Sequence, residues 1–394
     1  MRYAQYLFYR KSARIKRCNH KKIQISDGKL FIDLTMEHRL HSCPICGAST
    51  SKVHDYRTQI VKHTPAFGYP VNLRIRKRRH RCPSCGKRFF ESISFLPKYQ
   101  RTTNALWGYA FALLSDTISM RSVATTLNVS ASTVARMVDK LSYTKPVLPP
   151  IISIDEFRGN SGGEKFQCII TNPKDKSVLD ILPTRKAEDL YRYFADCPER
   201  KNVRYVVMDL SPLFKSVAQT CFPHAKVVAD KFHVLRLGNY ALEAVRKDVQ
   251  KSFHHYRRKY FKRSRTLLLK HKEKLSPAEL EQVANMLSLS PRLAKAYYLK
   301  ELIYDFFKSE DTVQAKKRLL AFKMAAQAAD LPEFHKVAQT YTKWEKEILN
   351  AFTVPYTNGY TEGCNNRIKV MKRVSYGMPS FSRFRTRILH CMKK

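Results

Sequence analysis

Hydrophobic and polar positions change period repeatedly along the chain, and each change marks a different kind of element. "DYRTQIVKHTPAFGYPVNLRIRKRRH" (55–80) alternates apolar and polar residues, is rich in β-branched side chains and predicts hairpin strands. Short strands are also expected in "KIQI" and "KLFIDL", within a leader (1–40) that otherwise shows no pattern. From Thr102 to Leu141 the period becomes helical. "TTNALWGYAFALLSD" predicts a first helix, and "SMRSVATTL" (119–127) and "ASTVARMVDKL" (131–141) predict two short helices around the break "NVS". "SYTKPVLPP" (142–150) reads as a proline-containing linker.

Apolar runs of strand length follow: "IISID", "FQCIIT", "SVLDIL", "RYVVMD" and "AKVVAD", with "NPKDK" as a turn between the second and third. "RKAEDLYRYFADC" and "SPLFKSVAQTCF" lie between the later runs and suit helices. A hairpin sheet followed by βαβ crossovers is an α/β domain. From Tyr240 to Phe352 strand patterns vanish. Ser276 with Glu279 fits a capping box with proline at the first helical position, and Ser290 and Asp330 are expected to cap further helices. The organisation predicted is 1–40 leader, 41–97 cysteine module, 98–145 helical module, 146–239 α/β domain, 240–352 all-helical segment and 353–394 C-terminal part.

Composition narrows the partners. The 394 residues carry 73 Lys and Arg against 32 Asp and Glu, a net charge of +41 spread along the chain, which favours a large nucleic-acid footprint. Apolar content of 44%, with 21 Tyr and 22 Phe, is ample for packed interiors. No apolar run approaches the roughly 18 residues that span a bilayer, and the N-terminal apolar stretch is too short for a secretory signal. An intracellular protein is expected, whose ten cysteines are thiols or metal ligands.

Cys43, Cys46, Cys82 and Cys85 form two C-x2-C pairs with 35 residues between them, each in a Cys-Pro-x-Cys-Gly turn. Two such knuckles present four thiolates to a tetrahedral Zn²⁺, and four thiolates leave no open position, so the site is structural. The alternative is plain buried cysteines. His54, His63 and His80 are expected at the surface or facing DNA. The segment 119–141 suits a helix-turn-helix, with Ser130, Ser132, Thr133 and Arg136 as candidate base or phosphate contacts; the alternative is an ordinary helical hairpin.

Asp155, Asp209 and Asp230 each end a strand-like run. Any one of them could be a turn or cap residue. Three on neighbouring strands would converge, and their mutual repulsion is resolved by a pair of divalent ions, the arrangement of phosphodiester chemistry. Glu362, in "YTNGYTEGCNNRIKVMKR", is a candidate third carboxylate amid cations able to grip phosphates. The residues alone do not choose between Asp209 and Asp230.

"CPICG", "RRHRCPSCGKRFFE", "SIDEF", "VVMDLSPLFKSVAQTCFPHAKVVADKFHV" and "TNGYTEGCNNRIKVMKRVSYGMPSFSRFRTRIL" together resemble the bacterial insertion-sequence transposases of the ISL-three family, from about residue 40 onward. The resemblance implies a zinc ribbon, a helix-turn-helix and an RNase H-like DDE domain interrupted by a large helical insertion. It makes Asp155, Asp209 and Glu362 the catalytic acids, 54 and 153 residues apart, with Asp230 and His233 auxiliary. It further implies two Mg²⁺ (or Mn²⁺) ions, a structural Zn²⁺, and Arg367, Lys369, Lys372 and Arg373 on DNA phosphates. Double-stranded DNA as element ends and target, a homodimer or larger synaptic assembly, and a cytoplasmic, nucleoid-associated location also follow from it. No acid of the motif is missing, and the motif block ends close to the last residue, so major truncation is not expected. Two rivals remain at this level: a transposase-derived DNA-binding regulator using residues 41–141 alone, and an RNA-binding or RNA-cleaving protein.

Overall fold

The computed structural model describes residues 18–263 and 265–392. The chain divides into two compact units, one running to Tyr143 and resuming at Arg367, the other spanning Thr144–Asn366.

In the first unit, β1 (Cys18–Ser26) and β2 (Lys29–Met36) form an antiparallel hairpin. It turns at Asp27-Gly28, both with positive φ (50° and 66°), which an Asp-Gly pair tolerates. Two short strands follow, β3 (His41–Ser42) and β4 (Ser49–Thr50), then a long hairpin of β5 (Val53–Ala66) and β6 (Tyr69–Arg81), and finally β7 (Arg88–Phe90). The sheet order is β1-β2-β6-β5 with β7 on β6, and β2 runs parallel to β6. Ile32, Leu34, Val61, Val71, Leu73 and Ile75 fill its inner face. Residues 18–36, expected as part of an ill-defined leader, are therefore integral strands of this sheet; the leader before residue 18 lies outside the described residues.

The histidines also depart from expectation. His54 is exposed, but His63 and His80 are buried. His63 shares a 2.8 Å hydrogen bond with Thr103, and His80 Nδ1 lies 3.2 Å from the Lys52 carbonyl. Alternation in β5 and β6 turned both rings inward, a side of the strand that polarity alone did not reveal.

Helices α1 (Asn104–Leu114), α2 (Met120–Thr126) and α3 (Ala131–Val138) are capped by Thr103, Ser119 and Ser130. Leu106, Leu114, Val123, Leu127, Val134 and Met137 form their shared core. The third helix stops one turn earlier than its pattern suggested.

The second unit holds β8 (Ile151–Phe157), β9 (Gln167–Asn172), β10 (Ser177–Leu182), β11 (Tyr205–Met208) and β12 (Lys226–Ala229). Their order is β10-β9-β8-β11-β12; β8, β9 and β10 are antiparallel neighbours, and β11 pairs parallel with both β8 and β12. Helices α4 (Ala187–Ala195) and α5 (Pro212–Cys221) connect the later strands.

Only helices and turns follow β12 among the described residues: α6 (Lys231–Val249), α7 (His255–Arg263), α8 (Arg265–Leu269), α9 (Pro277–Ser288), α10 (Pro291–Phe307), α11 (Thr312–Ala328), α12 (Pro332–Lys343), α13 (Glu345–Asn350) and α14 (Gly359–Val374). Ser276 and Glu279 make the expected capping box, and Ser290 caps α10. Asp330 does not cap α12. It follows the end of α11 with φ +50°, a left-handed position that Asp tolerates, and Leu331 occupies the cap without a side-chain bond. Gly238 on α6 permits close packing against α10, since a Cβ there would lie 2.5 Å from Ile303 Cδ1.

The boundary between units falls inside α14, so residues 353–394 do not stay together as one C-terminal piece. The last helix, α15 (Phe381–Met392), belongs to the first unit, where Arg383 pairs with both carboxylate oxygens of Asp139 at 2.8 Å. Arg387 is fully buried and donates to the carbonyls of Leu114, Asp116 and Ile118, satisfying backbone acceptors left open after α1. None of the described helices is long and apolar enough to cross a membrane.

His63 makes this unit acid-sensitive. Burial lowers its pKa to about 4, so the folded state keeps the ring neutral while the unfolded chain takes up a proton below its ordinary value. Stability is therefore full above about pH 6.5 and declines as pH falls toward 4, by up to about 3 kcal/mol. Denaturant unfolding of wild type and His63→Leu across that window is expected to show the slope in the former and its loss in the latter; parallel slopes would count against this assignment.

Candidate active site and zinc knuckles

The parallel pairing of β8, β11 and β12 lines up three acids. Met208 pairs with Ile154 and with Ala229, so the next residues along, Asp155, Asp209 and Asp230, stand side by side on adjacent strands. Asp155 is not at a strand end as its sequence suggested. Pairing with β9 carries β8 on to Phe157, leaving Asp155 inside the strand and buried. Its oxygens accept from the Glu156 backbone N–H at 2.7 Å and from Asn365 Nδ2 at 2.9 Å. Burial and the neighbouring Asp209 charge push its pKa up to about 7.

Asp230 combines the two roles its position allowed. Its Oδ2 caps α6 through the His233 N–H at 3.3 Å, while its Oδ1 accepts from the Asn358 N–H at 2.9 Å. One turn into α6, His233 Nδ1 lies 2.9 Å from Asp209, 3.1 Å from Asp230 and 3.8 Å from Glu362. Burial opposes a charge on this ring, yet hydrogen bonds to Asp209 and Asp230 outweigh it and raise the pKa to about 10. Glu362 reaches the cluster from the first turn of α14, where the helix N-terminus favours an acid. Burial and the charges of Asp230 and Asp209 raise its pKa.

Asn358 precedes Gly359, a pair that ordinarily signals only a turn. It is fully buried, its Nδ2 donates to Asp209 at 3.3 Å, and its Oδ1 accepts from Ser153. Thr361 extends the chain, donating to Ser153 at 3.1 Å and bonding Thr171 at 2.8 Å. Two periodicities pointed to these partners. Ser153 precedes Asp155 by two in a strand, and Asn365 follows Glu362 by three in a helix, so each shares a face with an acid.

The donor set fits divalent cations. The carboxylates of Asp209 and Asp230 lie within 4.8 Å of the His233 ring nitrogen, Asp155 and Glu362 flank them, and the protonated His233 ring supplies positive charge among the acids. Asn358 acts as a positioning residue. Asn358→Ala is expected to weaken Mn²⁺ binding, followed by electron paramagnetic resonance, about 10- to 100-fold, as outer-shell losses do. Unchanged affinity in a folded variant would remove that role.

The four cysteines meet in the first unit. Cys43 and Cys85, Cys46 and Cys82, and Cys46 and Cys85 each have sulfurs 3.5 Å apart, near the roughly 3.8 Å edge of a tetrahedron around an ion with 2.3 Å bonds. The knuckles are built alike. Gly47 and Gly86 donate to the Cys43 and Cys82 carbonyls at 3.0 and 3.1 Å, with φ of +75° and +72° that suit glycine. Backbone N–H groups of Cys85 and Ser84 lower the Cys82 thiol to about 6, while, against the backbone bond from Lys87, the bonded sulfurs of Cys46, Cys43 and Cys82 push the Cys85 thiol up to about 12.

The proposed DNA contacts are partly committed elsewhere. Ser130 Oγ caps α3 through the Thr133 N–H at 3.2 Å, and Arg136 donates to Thr133 at 3.2 Å; Ser130, Ser132 and Arg136 are exposed and Thr133 half-buried. On α14, Arg367, Lys369 and Arg373 are exposed and Lys372 half-buried, with Arg367 donating to the Ser115 carbonyl at 3.3 Å.

Three family models match in chain order: a zinc-finger of transposase IS204/IS1001/IS1096/IS1165 over residues 39–85, a helix-turn-helix domain of transposase family ISL3 over 91–142, and the ISL3 DDE transposase model over 152–388. A transposase for insertion sequence element IS1001 from Bordetella parapertussis is 27% identical over 359 residues, 88% of each chain. A transposase for IS1557 from Mycobacterium tuberculosis is 29% identical over 126 residues, 32% of this chain and 28% of that one. A shorter match, 35% over 112 residues (28% of this chain, 34% of the other), is to a Lactococcus lactis protein named ATP-dependent protease. With the DDE model alone covering more than half of the residues, and zinc ribbon, helix-turn-helix and acid-lined sheet in the same order along the chain, this protein belongs to the ISL3 transposase family.

Proposed function

We propose that the chain is an active DDE transposase that recognises the terminal inverted repeats of an insertion sequence, cleaves a strand at each end and joins the freed 3′-hydroxyl to target DNA. The observation that carries this reading is the gathering of Asp209, Asp230 and Glu362 around His233, with Asp155 beside Asp209 on the adjacent central strand of the sheet. The order β10-β9-β8-β11-β12, antiparallel on one side of β8 and parallel on the other, supports an RNase H-like core with residues 240–352 inserted before Glu362.

Two divalent ions of the Mg²⁺ class (Mn²⁺ serving equally), held by Asp155, Asp209 and Glu362, would supply activation of the attacking oxygen and neutralisation of the leaving oxygen. Asn365 and Asn358 orient Asp155 and Asp209. Asp230 and His233 are auxiliary, holding the Asp209 oxygen and fixing the start of α6. Cys43, Cys46, Cys82 and Cys85 would hold a structural Zn²⁺ that ties two knuckles far apart in sequence. Ser130, Ser132, Thr133 and Arg136 would meet base edges or phosphates of duplex DNA; Arg367, Lys369, Lys372 and Arg373 would grip backbone phosphates. Handling two ends at once calls for a homodimer or larger synaptic assembly, acting on DNA in the cytoplasm at the nucleoid.

A DNA-binding regulator without catalysis would leave the clustered acids unused, and cleavage assays separate the two readings. With end-containing DNA and Mg²⁺, Asp155→Asn, Asp209→Asn and Glu362→Gln are each expected to lose on the order of 1000-fold in cleavage rate while keeping end binding, a loss of about 4 kcal/mol of transition-state stabilisation. Cleavage undiminished in these variants, or absent from wild type, would reject the assignment. Salt titrations give an independent check on the cations: neutralising Lys369 or Arg373 should reduce the slope of log binding constant against log salt by about one, equally for any DNA sequence.

A further inference from the structure

The two knuckles share more than their cysteines. They read His41-Ser-Cys-Pro-Ile-Cys-Gly and His80-Arg-Cys-Pro-Ser-Cys-Gly, with a histidine two residues before the first cysteine of each. In extended chain, residues two apart point to the same side, so convergence of Cys43 with Cys82 also brings His41 toward His80. The rings meet with centroids 4.8 Å apart. Glu91, just after β7, joins them: a ring nitrogen of each histidine and a carboxylate oxygen of Glu91 all lie within 4.8 Å of one another. All three side chains are at least nine-tenths buried, at 8%, 0% and 3% exposure.

Here the Nε2 atoms of both His41 and His80 are buried without a hydrogen-bond partner. Such atoms destabilise a fold unless something satisfies them. His80 Nδ1 faces the Lys52 carbonyl at 3.2 Å, the outer contact that sets the tautomer of a metal-ligating histidine and leaves Nε2 its lone pair. The Arg78 backbone N–H and guanidinium donate to Glu91 at 2.8 and 3.1 Å, orienting the carboxylate while leaving it further lone pairs. We propose that His41, His80 and Glu91 hold a second divalent ion of the zinc class, separate from the ion of the four cysteines. Two imidazole nitrogens and one oxygen suit Zn²⁺ or Co²⁺. The Arg78 charge offsets that of Glu91, which disfavours Mg²⁺ and Ca²⁺, ions that need anionic oxygen.

The test uses the full chain carrying His233→Ala, so that the acidic cluster contributes no imidazole, in excess Mg²⁺ to occupy oxygen-rich sites. Zinc content is expected at about two ions per chain, and zinc-edge X-ray absorption should show imidazole scattering beside sulfur. His41→Phe and His80→Phe, which keep an aromatic ring in place, should each lose one ion. The intense thiolate-to-cobalt band of the cysteine site, after Co²⁺ substitution, should persist in both. A pure sulfur shell with one ion per chain would mean that water fills the gap, and would overturn the proposal even if both variants failed to fold. Retention of both ions in a folded His80→Phe chain would overturn it equally. Loss of the thiolate band from the parent chain would instead count against the cysteine site, so the two failures are distinguishable.

Discussion

Carboxylates do not gather in a protein interior unless something offsets their repulsion and lost hydration. In the second unit that constraint organises the centre of the sheet. Asp155, Asp209 and Asp230 are forced together by the parallel register of β8, β11 and β12, and Glu362 is added by α14. The fold answers with His233, which lies against three of the four, and with amide donors from Asn358 and Asn365 aimed at Asp209 and Asp155. Asp155 still shows the residual strain in its raised pKa.

The same element supplies both acid and scaffold. Glu362 stands in the first turn of α14, and the residues just before it, through the Asn358 N–H and side chain, clamp Asp230 and Asp209. The opening of this helix thus sets the spacing of Asp209 and Asp230, acids contributed much earlier in the chain. Asp209 and Glu362 can therefore lie far apart in sequence, because their meeting depends on the start of α14 being held against β11 and β12, whatever the length of the helical segment between them.

In the first unit the comparable constraint is the convergence of four cysteine thiols. Two knuckles on distant strands are brought to van der Waals distance through their sulfurs, and the hairpin between them buries Val61, Val71, Leu73 and Ile75 beside the rings of His63 and His80. Arg387 shows how economically the helical part is closed. One buried guanidinium satisfies three carbonyls beyond α1, and Arg383 holds Asp139 after α3. The cations of the C-terminal segment are therefore divided between structural duty and the exposed face of α14.

Much of this was legible because it rests on local periodicity. Strand runs from "IISID" to "AKVVAD", the capping box at Ser276, the cysteine spacing and the three short helices all follow from residue type over a few positions. Residues whose role depends on a distant partner were not legible. Burial of His63 and His80, the membership of residues 18–36 in a mixed sheet, the left-handed Asp330 and the clamp by Asn358 are set by which strand lies beside which. Which residues can carry the chemistry follows from residue type, since carboxylate, imidazole and thiolate are intrinsic properties. Which of them share a volume of low dielectric follows from folding, because convergence and burial arise from strand register rather than from the chain's local order.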